Sequence, residues 1–172
     1  MHRNCVKNVR RFQTRYTTGR RVLDVGSWSN NPIDGRSLWP GKDYLGVDIQ
    51  PEPNVDEVMP IDGHWNLGEF DVVTSLNTFE HCQSPTQLIR RIATHTKVGG
   101  YAFMSTHWVF FYHRFPVDNW RISPDGWRVL CDDAGLHIVE TYFSRHNLRD
   151  SLYFMVRHQM RPVDSVCIAI KE

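Results

Sequence analysis

Apolar positions in this chain follow two rhythms, short unbroken runs and helical stripes, and the two alternate. "RVLDV" (21–25), "DYLGVDI" (43–49) and "FDVVTSL" (70–76) read as strands, the last apolar enough to be buried on both faces. "SPTQLIRRIATHTK" (84–97) reads as a helix: Ser84 caps it, Pro85 opens it, and Leu88, Ile89, Ile92 and Ala93 share one face. Gly99 and Gly100 are expected to turn the chain into a further strand, "YAFMST" (101–106). A second capped helix follows in "SPDGWRVLCDDAG", with Ser123 and Pro124 at its start, Trp127, Leu130, Cys131 and Ala134 on one stripe, and Gly135 at its end. "LHIVETYF" and "DSVCIAIK" read as two closing strands, whereas "SLYFMVR" (151–157) fits either a strand or a helical turn. Strands alternating with helices predict an open α/β fold: a parallel sheet, helices on both faces, and a ligand site at the strands' carboxyl ends.

The first 20 residues form a basic N-terminal segment, with Val6, Val9 and Phe12 spaced as a stripe on a short helix. Its charges read as a solvated helix face rather than a polyanion site. With 172 residues and a net charge of +1, the chain is expected to be a single domain, 1–172, and not a nucleic-acid binder. Cys5, Cys82, Cys131 and Cys167 are scattered, with no CxxC pair, so a reducing, cytoplasmic setting is expected. No apolar run has the length of a membrane span or of a leader's apolar core, so no membrane partner is expected.

The turn after the first run, "GSWSN" (26–30), carries Trp28 and Asn30 where a glycine-rich loop would keep glycines. Asp48 lies 22 residues beyond Gly26 (48 − 26), at the end of the second run, where an acid can accept both ribose hydroxyls or serve as a turn acid. A dinucleotide would need closer backbone approach to its pyrophosphate than Trp28 permits, and Gly35, Pro40 and Gly41 cut short the helix that would receive it. A ligand with a ribose and no phosphate fits better, and S-adenosylmethionine is one.

The pieces now align with a family. "VLDVGS", "YLGVDI", "PIDGHW", "FDVVTSLNTFEH" and "KVGGYAFMS" resemble, in order and in register, the motifs of class I S-adenosylmethionine-dependent methyltransferases. "GSWSN" and "HRFPVDNWRISPDGWRVLCDDAGL" resemble a type 11-like subgroup whose first motif reads Gly-Ser-x-x-Asn. The resemblance implies a Rossmann-like three-layer sandwich, with a mostly parallel seven-stranded sheet and an antiparallel last strand. It implies that Asp24, Gly26 and Ser27 face the methionine end of S-adenosyl-L-methionine. Asp48 and Ile49 would hold ribose and flank adenine, Asp62 and Gly63 would meet the adenine edge, and Asn77, Thr78 and Phe79 would line the site.

Methyl transfer is an in-line displacement at an activated sulfonium, so the protein's main contribution is alignment in a dry site. A base is needed only for a hydroxyl or protonated amine, and His113 and His107 are the candidates; His81, after Glu80, reads as structural. Residues 105–122 read as an aromatic substrate-side loop, pinned by an Asp118–Arg121 pair. No metal site is expected, because His107 and His113 lack the tighter or helix-registered spacing of metal signatures. The core takes nearly the whole chain, so either the site stays open to a bulky substrate or a second copy closes it as a homodimer.

The expected activity is therefore O- or N-methylation of a small molecule or saccharide. The alternatives are a catalytically silent cofactor-binding or interaction module, and a nicotinamide enzyme, which the missing glycines disfavour. A nucleic-acid methyltransferase is disfavoured by "NTFE" (77–80) in place of an Asn/Asp-Pro-Pro-Tyr motif.

Overall fold

Each apolar run of the sequence becomes a strand of one sheet. A computed structural model of the chain describes residues 3–16, 18–27, 35–61, 63–114, 116–146, 151–152, 155–156 and 161–172. In chain order its main elements are α1 (Arg3–Arg15), β1 (Arg21–Val25), β2 (Asp43–Asp48), β3 (Glu57–Val58), β4 (Phe70–Leu76), α2 (Pro85–His95), β5 (Thr96–Val109), α3 (Pro124–Ala134), β6 (His137–Arg145) and β7 (Val163–Ile170). The sheet has seven strands in the order β3-β2-β1-β4-β5-β7-β6. Strands β3, β2, β1, β4 and β5 pair in parallel, and β7 runs antiparallel to both β5 and β6. The direction of winding reverses between β1 and β4, which opens a crevice at the carboxyl ends of the strands there.

Alternation along the strands sends side chains to two cores, which makes three layers. On one face Leu23, Val25, Val73, Met104 and Cys167 pack with Leu88, Ile89 and Ile92 of α2 and Trp127 and Cys131 of α3. On the other, Val22, Val72, Phe103, Val166 and Ile168 pack with Val9 and Phe12 of α1 and with Leu38 and Trp39. Phe12 lies flat on Phe103, ring centroids 4.9 Å apart. The expected caps are in place: Ser84 Oγ accepts the Gln87 N–H (3.3 Å), Ser123 Oγ accepts the Gly126 N–H (3.1 Å), and Gly135 ends α3 at φ +70°.

Several expectations need correcting. Strand β3 has only two residues, both exposed, so no apolar run announces it. Gly99 and Gly100 do not separate a helix from a strand; they lie in an irregular stretch inside β5, where the pairing with β4 shifts between Phe70 and Val72. That strand runs on to Val109, so residues 105–109 of the expected loop are strand. The described residues of 151–157 are helical. The basic face of α1 is partly spoken for: Arg11 and Arg15 both pair with Glu140, at 3.0 and 3.1 Å. No helix among the described residues is long and apolar enough to cross a membrane.

Candidate functional site

The site begins at the turn that leaves β1. Gly26 sits at φ +80°, and a Cβ there would fall 2.1 Å from Thr78 Oγ1, so both conformation and space demand glycine. The Gly26 and Ser27 N–H groups donate to the Val47 carbonyl at 2.9 and 3.1 Å, which clamps the turn to the end of β2. Those two amides are thereby committed inside the protein. Ser27 Oγ, by contrast, is buried and has no hydrogen-bond partner among the described residues. Trp28, Asn30 and Asn31 lie outside the described residues.

Asp24, on β1, is 2% exposed and accepts a hydrogen bond from Tyr44 Oη at 2.6 Å. Burial pushes its carboxyl up to about 6, with a further push from Asp48, against the opposing hydrogen bond of Tyr44. Asp48 ends β2, nearly buried, its Oδ1 accepting the Ile49 N–H at 2.7 Å. Ile49 beside it is 40% exposed, an apolar side chain left open at a strand end. Asp62 lies outside the described residues; Gly63 closes a turn onto the Pro60 carbonyl at 2.8 Å, and Arg91 of α2 binds the Ile61 carbonyl at 2.8 Å.

Asn77 follows β4 in a left-handed conformation (φ +54°), which asparagine tolerates better than most residues. It is held there by Ser105: the Asn77 N–H donates to the Ser105 carbonyl (2.9 Å) and Asn77 Oδ1 accepts from Ser105 Oγ (3.0 Å). Its Nδ2 reaches Cys5 Sγ at 3.4 Å, so the start of α1 comes down on the end of β4. Sequence reasoning missed that wall, because nothing local links Cys5 to Asn77. Thr78 Oγ1 donates to the Val25 carbonyl (3.3 Å) and ties β4 to β1. Phe79 departs from its expected place: its side chain is fully buried, edge-on to Trp127 at 4.9 Å, and packs in the core.

Beyond β4 a 3₁₀ turn, Phe79–His81, carries a second group of polar residues. The segment after β5 is docked on that turn: Asn119 N–H donates to the Glu80 carbonyl (2.7 Å), Trp120 Nε1 to the Cys82 carbonyl (3.0 Å), and His81 Nδ1 meets the Val117 carbonyl. Asp118 and Arg121 form the expected pair, through two contacts of 2.5 and 2.9 Å. Burial alone would raise the Asp118 carboxyl, but the Arg121 fork and the His113 N–H hold it well below the usual range.

The two candidate base histidines part company here. His107 is on β5, not on a loop, and is 2% exposed. Its Nδ1 meets Asp164 Oδ1 at 2.9 Å, its Nε2 faces Glu80 Oε1 at 3.7 Å, and its ring stacks on Phe110 at 3.9 Å. Burial works against its charged form, yet the Asp164 hydrogen bond and the Glu80 charge prevail and lift it above its ordinary value. His107 is thus enclosed by Asp164, Glu80 and Phe110. His113 is half-buried and lies beside both histidines, its ring centroid 5.0 Å from His81 and 5.2 Å from His107. Burial, then the nearby His107, holds it below its ordinary value, so it is neutral at neutral pH. The absence of a metal site was expected from spacing along the chain, but the fold gathers Glu80, His81 and His113, one ligand atom from each lying within 4.8 Å of the others.

Comparison with known proteins gives the chain a family. A family model described as a methyltransferase domain matches residues 1–152. A ubiquinone biosynthesis O-methyltransferase of Acinetobacter baumannii (strain AYE) is 29% identical, over 51% of this chain and 44% of its own length. The chain thus spans under half the length of that curated relative. Among solved structures, the [4+2]-cyclase SpnF superposes with a TM-score of 0.71 at 13% identity, covering 96% of this chain and 80% of that one. Coclaurine N-methyltransferase bound to N-methylheliamine and SAH gives a TM-score of 0.68 at 14% identity, with 96% and 72% covered. At these identities the structural likeness is one of fold.

Proposed function

Because the chain belongs to the methyltransferase domain family, we propose that it transfers a methyl group from S-adenosyl-L-methionine to oxygen or nitrogen of a small molecule or saccharide. The observation that carries this reading is the pair of carboxylates, Asp24 and Asp48, on adjacent strand ends either side of the tight Gly26 turn. The bound cofactor supplies an activated sulfonium methyl. Asp24, ionised, meets its ammonium, and the unpartnered Ser27 hydroxyl meets the same end. Asp48 takes the ribose hydroxyls, Ile49 covers the adenine face, and Asp62 and Gly63 edge it. Asn77 and Thr78 close the site from β4. His113, neutral at neutral pH, accepts the proton of a substrate hydroxyl or ammonium. The free, buried cysteines suit a reducing, cytoplasmic setting, and a second copy over the open side is part of the reading.

Titration calorimetry with S-adenosylmethionine and S-adenosylhomocysteine, with NAD as control, tests it. The expected result is dissociation constants of about a micromolar, near −8 kcal/mol, for the first two and no heat with NAD. Absence of binding by both sulfur ligands rejects the proposal. Binding without formation of S-adenosylhomocysteine from S-adenosylmethionine across nucleotide sugars, phenols and amines would instead mark a silent binding module.

A further inference from the structure

We propose that Glu80, His81 and His113 form a binding site for one first-row divalent cation of the zinc type. Two imidazoles and one carboxylate are a recurrent ligand set for such ions, and they leave positions open for water or a substrate oxygen. Here one ligand atom from each residue already lies within 4.8 Å of the other two. With metal–ligand bonds of about 2.0–2.2 Å, the side chains need draw in by only on the order of 1 Å.

The surroundings are those of a prepared ligand set. His81 has one ring nitrogen against the Val117 carbonyl, which leaves the other lone pair for a ligand. The Asp118 carboxylate accepts the His113 backbone N–H at 2.9 Å, which holds the residue in place, and lies 3.3 Å from its Nδ1 without a hydrogen bond to it. Glu80 is the decisive residue. It is fully buried, its Oε2 accepts from Thr106 Oγ1 at 2.9 Å, and its Oε1 has no hydrogen-bond partner among the described residues. His107 Nε2 is 3.7 Å away, too far for a hydrogen bond. A buried carboxylate oxygen without a donor is costly, and a cation bound between it and the two histidines would satisfy it. His81 and Glu80 also sit on a 3₁₀ turn hydrogen-bonded to Asn119 and Val117, so two of the three ligands are held before the ion arrives. On the methyltransferase reading, such a cation would receive a substrate hydroxyl and lower its pKa, and His113 would act as a ligand instead of a free base. Cation binding itself does not depend on that reading.

The test uses the full chain stripped by a chelator and titrated with zinc chloride in a calorimeter, and with cobalt(II) followed by its visible absorption. One equivalent is expected to bind tightly and to give the cobalt bands of a site with nitrogen ligands. His81→Ala and His113→Ala are expected to weaken zinc binding at least about 100-fold, beyond the roughly 10–100-fold typical of outer partners such as Asp118. His64→Ala and His137→Ala, at exposed positions, should leave it unchanged. Glu80→Gln keeps the side chain's size and its Thr106 contact, and serves if a histidine variant fails to fold. Crystals of the wild-type chain soaked in zinc should show an anomalous peak bounded by the three residues. No stoichiometric zinc binding to the wild type, a peak elsewhere, or equal affinity in folded site variants overturns the proposal. Any of these would leave cofactor binding, measured separately, untouched.

Discussion

At the scale of single residues, burial governs the chemistry of Asp24. Asp24 is enclosed and its carboxyl is pushed from 3.8 to about 6. Its folded pKa is raised, so the native state holds the proton more tightly and the group's contribution to stability falls as pH rises from about 4 through 6. Near neutral pH the ionised form costs about 3 kcal/mol. Asp24→Asn keeps an acceptor for Tyr44 and should raise the ligand-free protein's stability at neutral pH by up to about that amount. In urea unfolding the gain should shrink to about half near pH 5. The same substitution should weaken S-adenosylmethionine binding, and in the wild type affinity should decline as pH drops below about 6. A variant both stabilised and still tight-binding would remove Asp24 from the cofactor. Asp48→Ala is expected to cost about 1.5–3 kcal/mol of cofactor affinity by calorimetry, the range for hydrogen bonds to a charged group; unchanged affinity would remove it from the ribose.

At the scale of elements, α1 does more than cover a sheet face. Its buried Asn4 donates to Asp164 and to the Ser144 carbonyl, and Cys5 meets Asn77, so the helix joins the β6–β7 edge to the end of β4. Asp164 in turn sits between His107 and His146, at 2.9 and 3.1 Å. Burial alone would raise its carboxyl, but the two histidines hold it well below the usual range. The α1 anchor is Phe12, fully buried against Phe103, Tyr101 and Trp39. Phe12→Ala is expected to destabilise the protein by about 3–5 kcal/mol in chemical denaturation. Because α1 also meets Asn77, which the proposed function puts in the site, the variant should bind cofactor more weakly even where it remains folded. A stability loss with cofactor affinity intact would show that the helix is a scaffold alone.

At the scale of the whole molecule, the reading predicts coupling between ligand and fold. A cofactor held by β1, β2 and β4 together binds only the native state, and at 100 times its dissociation constant adds about 2.7 kcal/mol. For a chain of this size that corresponds to a rise in Tm of roughly 5–10 °C by calorimetric melting, with none for NAD. A rise with both ligands would point to non-selective nucleotide binding at the strand ends.

The parts of this protein legible in its sequence are those encoded by neighbours along the chain. Period-2 and period-3.6 patterns, Ser-Pro helix starts and the Gly135 stop depend on contacts a few residues apart, so strands, helices and their order could be read directly. The strand-end acids could be read as well, since Asp24 and Asp48 need only their own strands to be placed. What the tertiary structure alone decided rests on strand register and loop docking. The antiparallel pairing of β5 with β7 sets Asp164 beside His107, 57 positions away, and turns an expected substrate-contacting histidine into a buried one. Closure of the turn after β1 on Val47 commits two amides that its local sequence left open. The docking of residues 117–120 on the 3₁₀ turn brings His113 against Glu80 and His81. Spacing along the chain cannot report such a cluster, because a helix and a full strand separate His113 from the adjacent Glu80 and His81, and they meet only when the sheet has formed.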